Sequence, residues 1–310
     1  MTIEQLQAEA KNSRCGERLS ACDEIHRQGV FSTLEHERLL RKYGDILKIY
    51  EGEDGKYNWN QVFYLLFMRT MGDEANRDVF MEVARRLPLK YILRERNTPM
   101  RVEAMFLYAA GFIGHYANYD YIEPLKRDAE YLAHKYDIQP LTINHWNLGR
   151  IRPVNHPVVR LSQVAMLLCT HEFMFDDMIR CKERRDIDKL FVVKSTDHFI
   201  ATHPYLMREG QESITLGASK RVLLGINLVV PMQFAYGYFS HDDDLCAQAQ
   251  DLNESLPAEM NRYIRRWREQ GLNPTTSFET QALIQLTTKY CKEAKCNECP
   301  VARLIVADVI

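Results

Sequence analysis

Trp59-Asn-Gln-Val-Phe-Tyr-Leu-Leu-Phe-Met-Arg-Thr-Met71 is the stretch whose reading decides the fold. Val62, Phe63, Leu65, Leu66, Phe67 and Met68 run around a helix instead of alternating, so the spacing predicts a helix buried on all sides. Such a helix needs others to cover it, and the chain supplies them. Residues 79–87 set Val79, Phe80, Val83, Ala84 and Leu87 on one face ahead of Pro88. Residues 102–116 read as a second buried helix, in which Gly111 and Gly114 permit a neighbour's close approach. Residues 121–136 are amphipathic, and 158–169 place Leu161, Val164, Ala165 and Leu168 on one stripe. Residues 223–230 read as a buried helix stopped or kinked by Pro231. Residues 257–270 turn Met260, Ile264 and Trp267 inward, with four Arg around them. Thr276 and Glu279 fit a capping box that opens a helix over about 278–290, with Ala282, Leu283, Leu286 and Tyr290 on one face. The expected fold is all-α, an irregular multi-helix bundle with at most a minor strand near 190–215, where Phe191-Val-Val193 is the candidate. A helical body over 1–256 and a C-terminal helical subdomain over 257–310 is the expected division, with one continuous domain as the alternative.

Composition agrees. Only 14 Gly and 11 Pro interrupt 310 residues, and 46% apolar with 26% charged residues excludes disordered and collagen-like chains. The 40 basic and 42 acidic residues give a net charge of −2, so no global basic field announces a nucleic-acid binder. Residues 1–14 lack the apolar core of a signal peptide. The most apolar run, 222–236, holds Gly225, Asn227, Pro231 and Gln233 and reads as too short for a bilayer. A cytoplasmic location with no membrane partner is expected. The eight Cys are then thiols or metal ligands, not a disulfide framework.

Five of them are scattered: Cys15, Cys22, Cys169, Cys181 and Cys246. Three gather in Cys291-Lys-Glu-Ala-Lys-Cys296-Asn-Glu-Cys299-Pro300. A C-x2-C pair lets two thiolates meet one ion across a tight turn, and a third at a helix end can close over it. Soft thiolates suit zinc or an iron–sulfur cluster, and Lys292, Lys295 and Arg303 would offset the charge. A fourth ligand must come from one of the scattered Cys or from a His. The alternative is three reduced thiols in a compact turn.

Other constellations are weaker. Arg85, Arg86, Lys90, Arg94 and Arg96 form one basic stretch with Arg101, and Arg262, Arg265 and Arg266 form another with Arg268 around Trp267. Either can track phosphates or present a solvated helix face. The Pro-broken segment 140–157 holds Arg150, Arg152 and His156 as a possible loop site, or is a connector anchored by Trp146. Asp197, His198 and His203 are the candidates for an Asp–His catalytic pair, without a nucleophile motif beside them. His171, Glu172, Asp176 and Asp177 read as a helix end, and Ser240 to Asp244 as a helix N-cap. No Walker A, dinucleotide, nucleophile-elbow or zincin motif occurs.

The run from Gln281-Ala-Leu-Ile-Gln-Leu286 to Cys291, then Cys296 to Pro300, resembles the terminal iron–sulfur loop of helix-hairpin-helix DNA glycosylases over about 25 residues. The first spacing is two residues shorter, the fourth Cys is missing, and Leu216-Gly-Ala-Ser219 is only a fragment of the phosphate-binding hairpin. A longer resemblance is carried by Glu37-Arg-Leu-Leu-Arg-Lys42, Trp59 to Tyr64, Leu87-Pro-Leu-Lys90 and Arg152-Pro-Val-Asn-His-Pro-Val-Val-Arg160. Asn227-Leu-Val-Val-Pro231, Phe234-Ala-Tyr-Gly237, Leu256-Pro-Ala-Glu259 and 281–299 continue it. These resemble the C-terminal portion of a bacterial family known as domain of unknown function 2851. The resemblance implies no activity. It implies that longer members carry an N-terminal β-rich, nuclease-like region that precedes the portion matched here. The resulting expectation is a non-catalytic accessory or binding module with a C-terminal thiolate metal site and a nucleic-acid or protein partner. A metal-free interaction scaffold, or an enzyme using Asp197, His198 or His203, are the alternatives.

Overall fold

The computed structural model describes residues 14–117, 120–202 and 215–306. The fold is all-α. Among the described residues, extended pairing is confined to two isolated antiparallel bridges, Lys194 with Thr215 and Pro257 with Thr276. The strand expected at Phe191-Val-Val193 does not form: Phe191 is the buried last residue of the helix Arg184–Phe191, and Val192 faces solvent. The chain forms two compact units.

One unit comprises residues 48–181 and 185–228. Trp59–Met71 begins where Asn58 accepts a hydrogen bond from the Gln61 amide at 3.1 Å, and Val62, Phe63, Tyr64, Leu65, Phe67, Met68 and Met71 are all buried. It packs along Asp73–Arg86. Pro99–Ala109 lies against both Glu123–Tyr136 and Pro157–Thr170. The helix expected over 102–116 is broken at Gly111, which has φ of +80°. A Cβ there would stand 2.1 Å from the Leu141 carbonyl oxygen, while the Leu141 amide donates to the Ala109 carbonyl at 2.8 Å. The incoming connector takes the space a side chain would need.

The other unit comprises residues 14–47, 182–184 and 229–306. Val230–Ser240 and Asp243–Ser255 form an antiparallel hairpin. His241 turns it in the left-handed region, and Asp242 caps the second helix by accepting from the Leu245 amide at 3.0 Å. Leu19, Val30, Phe31 and Leu34 share an apolar cluster with Ile264, Trp267, Phe278, Ala282, Leu283 and Leu286, closed by Val301, Ala302 and Ile305. Thr276 and Glu279 make the capping box reciprocally.

Two helical expectations are corrected here. Of the two outcomes expected at Pro231, the stop does not occur: a π-helical turn, Gly225–Val229, carries the chain into Val230–Ser240, and this irregularity in the hydrogen-bond ladder accommodates the N–H that Pro231 lacks. As a result Ala218–Ser240 is one helical stretch of 23 residues, long and apolar enough by length and composition to cross a bilayer, with 67% of its most apolar window buried within the protein. Met260 does not face inward: it is 52% exposed, because the helix starts only at Arg262, where Asn261 accepts from the amides of Tyr263 and Ile264.

Candidate thiolate centre and basic face

The helix Ser277–Gln285 widens into a π-helical turn, Leu286–Cys291, so the first clustered Cys stands at its last position. Tyr290 anchors that end by donating to Glu37 Oε2 at 2.7 Å, and Trp267 Nε1 donates to Thr287 Oγ1 at 2.8 Å one turn earlier. The chain then turns back: the Lys295 amide donates to the Tyr290 carbonyl at 3.0 Å, with Ala294 in the left-handed region. The Cys299 amide donates to the Cys296 carbonyl at 3.2 Å, which closes the C-x2-C turn, and Cys299 leads into Pro300–Val306.

The eight cysteines are all thiols. Cys299 is buried, Cys296 half-buried and Cys291 exposed. The Cys291 thiol is nonetheless pushed up to about 12, first by desolvation and then by Cys299, Cys15 and Cys296, with Arg266 acting in the opposite sense. Three thiols, one of them from the opposite end of the sequence, thus act electrostatically on Cys291. Burial also raises Cys299, opposed by the amides of Val301 and Ala302 that face its sulfur. Cys15 packs against the same apolar cluster that holds Cys299. The other scattered Cys are engaged elsewhere: Cys246 Sγ contacts the Phe234 carbonyl at 3.7 Å, Cys22 is buried at the end of its own helix, and Cys169 and Cys181 belong to the other unit.

As a donor set, four thiols with a guanidinium nearby fit zinc or an iron–sulfur cluster. Their spacing is not that of a closed site: among the described residues, no three His, Cys, Asp or Glu side chains are grouped so as to hold a metal ion.

The second basic stretch folds onto this place. Ile264 and Trp267 face the core, which leaves Arg262, Arg265, Arg266 and Arg268 outside. Tyr263 joins them to the thiol loop. Lys292 Nζ donates to the Tyr263 hydroxyl at 2.7 Å, and Arg262 donates to it at 3.0 Å. Both cations also stand over its ring, at 4.7 Å and 4.9 Å from the centroid. The hydrogen bonds from Lys292 and Arg262, and then their charge, lower the Tyr263 hydroxyl from its ordinary value.

The first basic stretch is largely matched by carboxylates and backbone. Arg85 pairs with Asp54 at 2.8 Å and with Glu82; Arg86 pairs with Glu82 at 3.1 Å and donates to the Gln139 carbonyl. Arg96 pairs with Glu172 at 2.6 Å, Lys90 lies over the Tyr91 ring, and Arg94 is exposed.

The loop holding Arg150, Arg152 and His156 is a packed connector at its inner side. Trp146 is buried and donates to the Ala110 carbonyl at 2.8 Å. His156 caps Pro157–Thr170 through Nδ1, and burial drives it down to about 4. Arg150 and Arg152 point to solvent. Asp197 is exposed, whereas His198 Nε2 donates to the Tyr121 carbonyl at 2.7 Å, and His203 lies outside the described residues. His171 bonds Asp177 at 3.1 Å.

What sequence reading missed is the partnership between Tyr263 and Lys292, and which of the scattered Cys packs against the apolar cluster that holds Cys299. No local spacing signals either, because both are made by tertiary packing.

No curated protein and no solved structure matches the chain. The model of a family described as "Protein of unknown function (DUF2851)" matches residues 1–262, and the chain belongs to that family.

Proposed function

We propose that the unit holding the clustered thiols is a nucleic-acid-binding accessory module. In this reading Cys291, Cys296 and Cys299 hold zinc or an iron–sulfur cluster, and the bound group stiffens the loop that carries Lys292. The observation that carries the reading is the meeting of two separate sequence features around Tyr263, with Arg262 and Lys292 both on its hydroxyl and over its ring. Cations flanking an aromatic ring suit a single-stranded backbone with stacked bases. The test is anisotropy of a labelled single-stranded oligonucleotide across a salt series. The wild-type chain is expected to bind with a steep salt dependence. Arg262→Ala, Arg266→Ala and Lys292→Ala together should flatten the log–log slope by about 2, because each cation neutralising a phosphate of a single strand adds about 0.7 to it. Absence of binding at low salt overturns the nucleic-acid reading.

A metal-free interaction scaffold is the second reading, and the open spacing of the thiols favours it. Cys291→Ser with Cys296→Ser separates the two: unchanged melting and unchanged metal content support the scaffold.

A further inference from the structure

We infer that the cavity at the end of the basic helix is a pocket for one unstacked guanine base of a single strand, its edges read by Arg27 and Glu279. This rests on the nucleic-acid reading above and deepens it. The cavity holds about 200 Å³ and is lined by residues of the helices Arg14–Ala21, Glu24–Glu51 and Ser277–Gln285 and of the turn 271–274. Drug-sized ligands take about 300 Å³ or more, so this space suits a single flat ring system. Phe31, Leu272, Pro274 and Leu283 are buried and give the lining its apolar surface. Gly271 has φ of +90°, and a Cβ there would stand 3.1 Å from Ser20 Oγ, so a side chain at 271 would crowd the lining.

Two side chains of opposite charge share this lining. Arg27 donates through Nη1 to the Cys22 carbonyl at 3.2 Å and through Nη2 to Glu24, which leaves Nε uncommitted. Glu279 accepts from the Thr275 and Thr276 amides at 2.6 Å and 3.1 Å, both on Oε2, so capping the helix leaves Oε1. A neutral ligand answers this pair if it offers acceptors to the guanidinium and N–H donors to the carboxylate. Guanine does so, with O6 and N7 on one edge and N1–H and N2–H on the next. Adenine carries a donor in place of O6, and the pyrimidines have no N7. The cavity also continues the basic helix. The Gly271 amide donates to the Arg268 carbonyl at 3.0 Å and the Leu272 amide to the Trp267 carbonyl at 3.2 Å, so the turn 271–274 follows directly from Arg262–Glu269. Arg268 Nη2 reaches the Pro274 carbonyl at 3.5 Å, which sets that cation beside the lining. Arg262, Arg265 and Arg268 recur every three residues and are all exposed. A backbone following that stripe from Tyr263 is led roughly 9 Å along the helix to the cavity.

The test uses the full chain and anisotropy at low salt, with a labelled oligothymidylate carrying one central guanine, adenine or cytosine, or none. The guanine strand should bind about ten-fold more tightly than the other three, the order of one well-made bidentate base contact. Glu279→Gln keeps a residue that serves in a capping box but turns the free acceptor into a donor, so it should bind the four strands alike. Arg27→Lys keeps the charge, loses the planar fork and should do the same. Glu269→Gln, exposed and outside the lining, should retain the preference. If Glu279→Gln fails to fold, Arg27→Lys and the wild-type series decide. Equal binding of all four strands by wild type, or a guanine preference that survives the substitutions at 27 and 279, overturns the inference and leaves the nucleic-acid reading standing. No binding of any strand overturns both.

Discussion

Asn253 Nδ2 donates to Glu35 Oε1 at 2.9 Å, joining two fully buried side chains from helices far apart in the sequence. Asn253 in turn accepts from Ser277 Oγ at 2.5 Å, so one amide ties three helices of the same unit. Burial raises the Glu35 carboxyl to about 7, although Arg38, Asn253 and Gln250 favour its charged form. Arg38 is itself lowered to about 10 by its burial.

The raised carboxyl makes stability fall as pH rises. Between the ordinary glutamate value of 4.5 and about 7, the native chain holds a proton that the unfolded chain has released. The stabilisation from neutral Glu35 is therefore full below 4.5 and lost by the time pH passes 7, a span worth roughly 3 kcal/mol. Glu35→Gln cannot titrate and should flatten that part of the profile. Urea melts at pH 5 and pH 8 measure it; parallel profiles for the two proteins would contradict the assignment.

Gly111→Ala should destabilise by about 2–4 kcal/mol. The left-handed backbone and the Leu141 carbonyl both exclude a methyl group. Gly114, with open space around its Cβ position, is the comparison: Gly114→Ala should be neutral or slightly stabilising, since it sits in a helical turn. Thermal melting of both variants gives the answer, and equal effects would refute the argument.

Glu103 accepts from the Tyr121 hydroxyl at 2.5 Å and from Thr196 Oγ1 at 2.8 Å, wholly within the interior. Glu103→Ala strands both donors and should cost about 3 kcal/mol or more, whereas Tyr121→Phe should cost about 1–2 kcal/mol. A double-mutant cycle should show coupling between them of at least about 0.5 kcal/mol. Additive losses would mean that the contact is incidental.

Trp267→Phe removes the donor to Thr287 Oγ1 while keeping an aromatic ring in the core. The expected loss is about 1–2 kcal/mol in denaturant melts. Because Trp267 faces inward and the Arg on its helix face outward, the salt dependence of oligonucleotide binding should not change. A changed slope would mean that Trp267 contributes to the binding face.

Much of the helical framework is legible from residue pattern. The all-round burial of 59–71, the capping box at Thr276 and the inward faces of Ile264 and Trp267 follow from local spacing alone. The failures are equally specific. Gly111 breaks a helix whose apolar pattern continues through it, because the obstacle is the distant carbonyl of Leu141. Pro231 is tolerated because the π-helical turn before it is an irregularity in the hydrogen-bond ladder that accommodates its missing N–H. Phe191 has the composition of a strand but is held in a helix, its ring stacked on Phe67 at 5.9 Å.

Residue order alone was enough to set the helical class, the three-thiol motif at 291–299 and the membership of two Arg-rich stretches. Those depend on neighbours a few residues apart, where periodicity and turn geometry act directly. Folding of the whole chain was needed to pack Cys15 on the apolar cluster that holds Cys299, to seat Lys292 and Arg262 on Tyr263, and to match the first Arg-rich stretch with acids. Such meetings are made by packing apolar faces of distant helices, and nothing in a local stretch encodes which distant face it will cover.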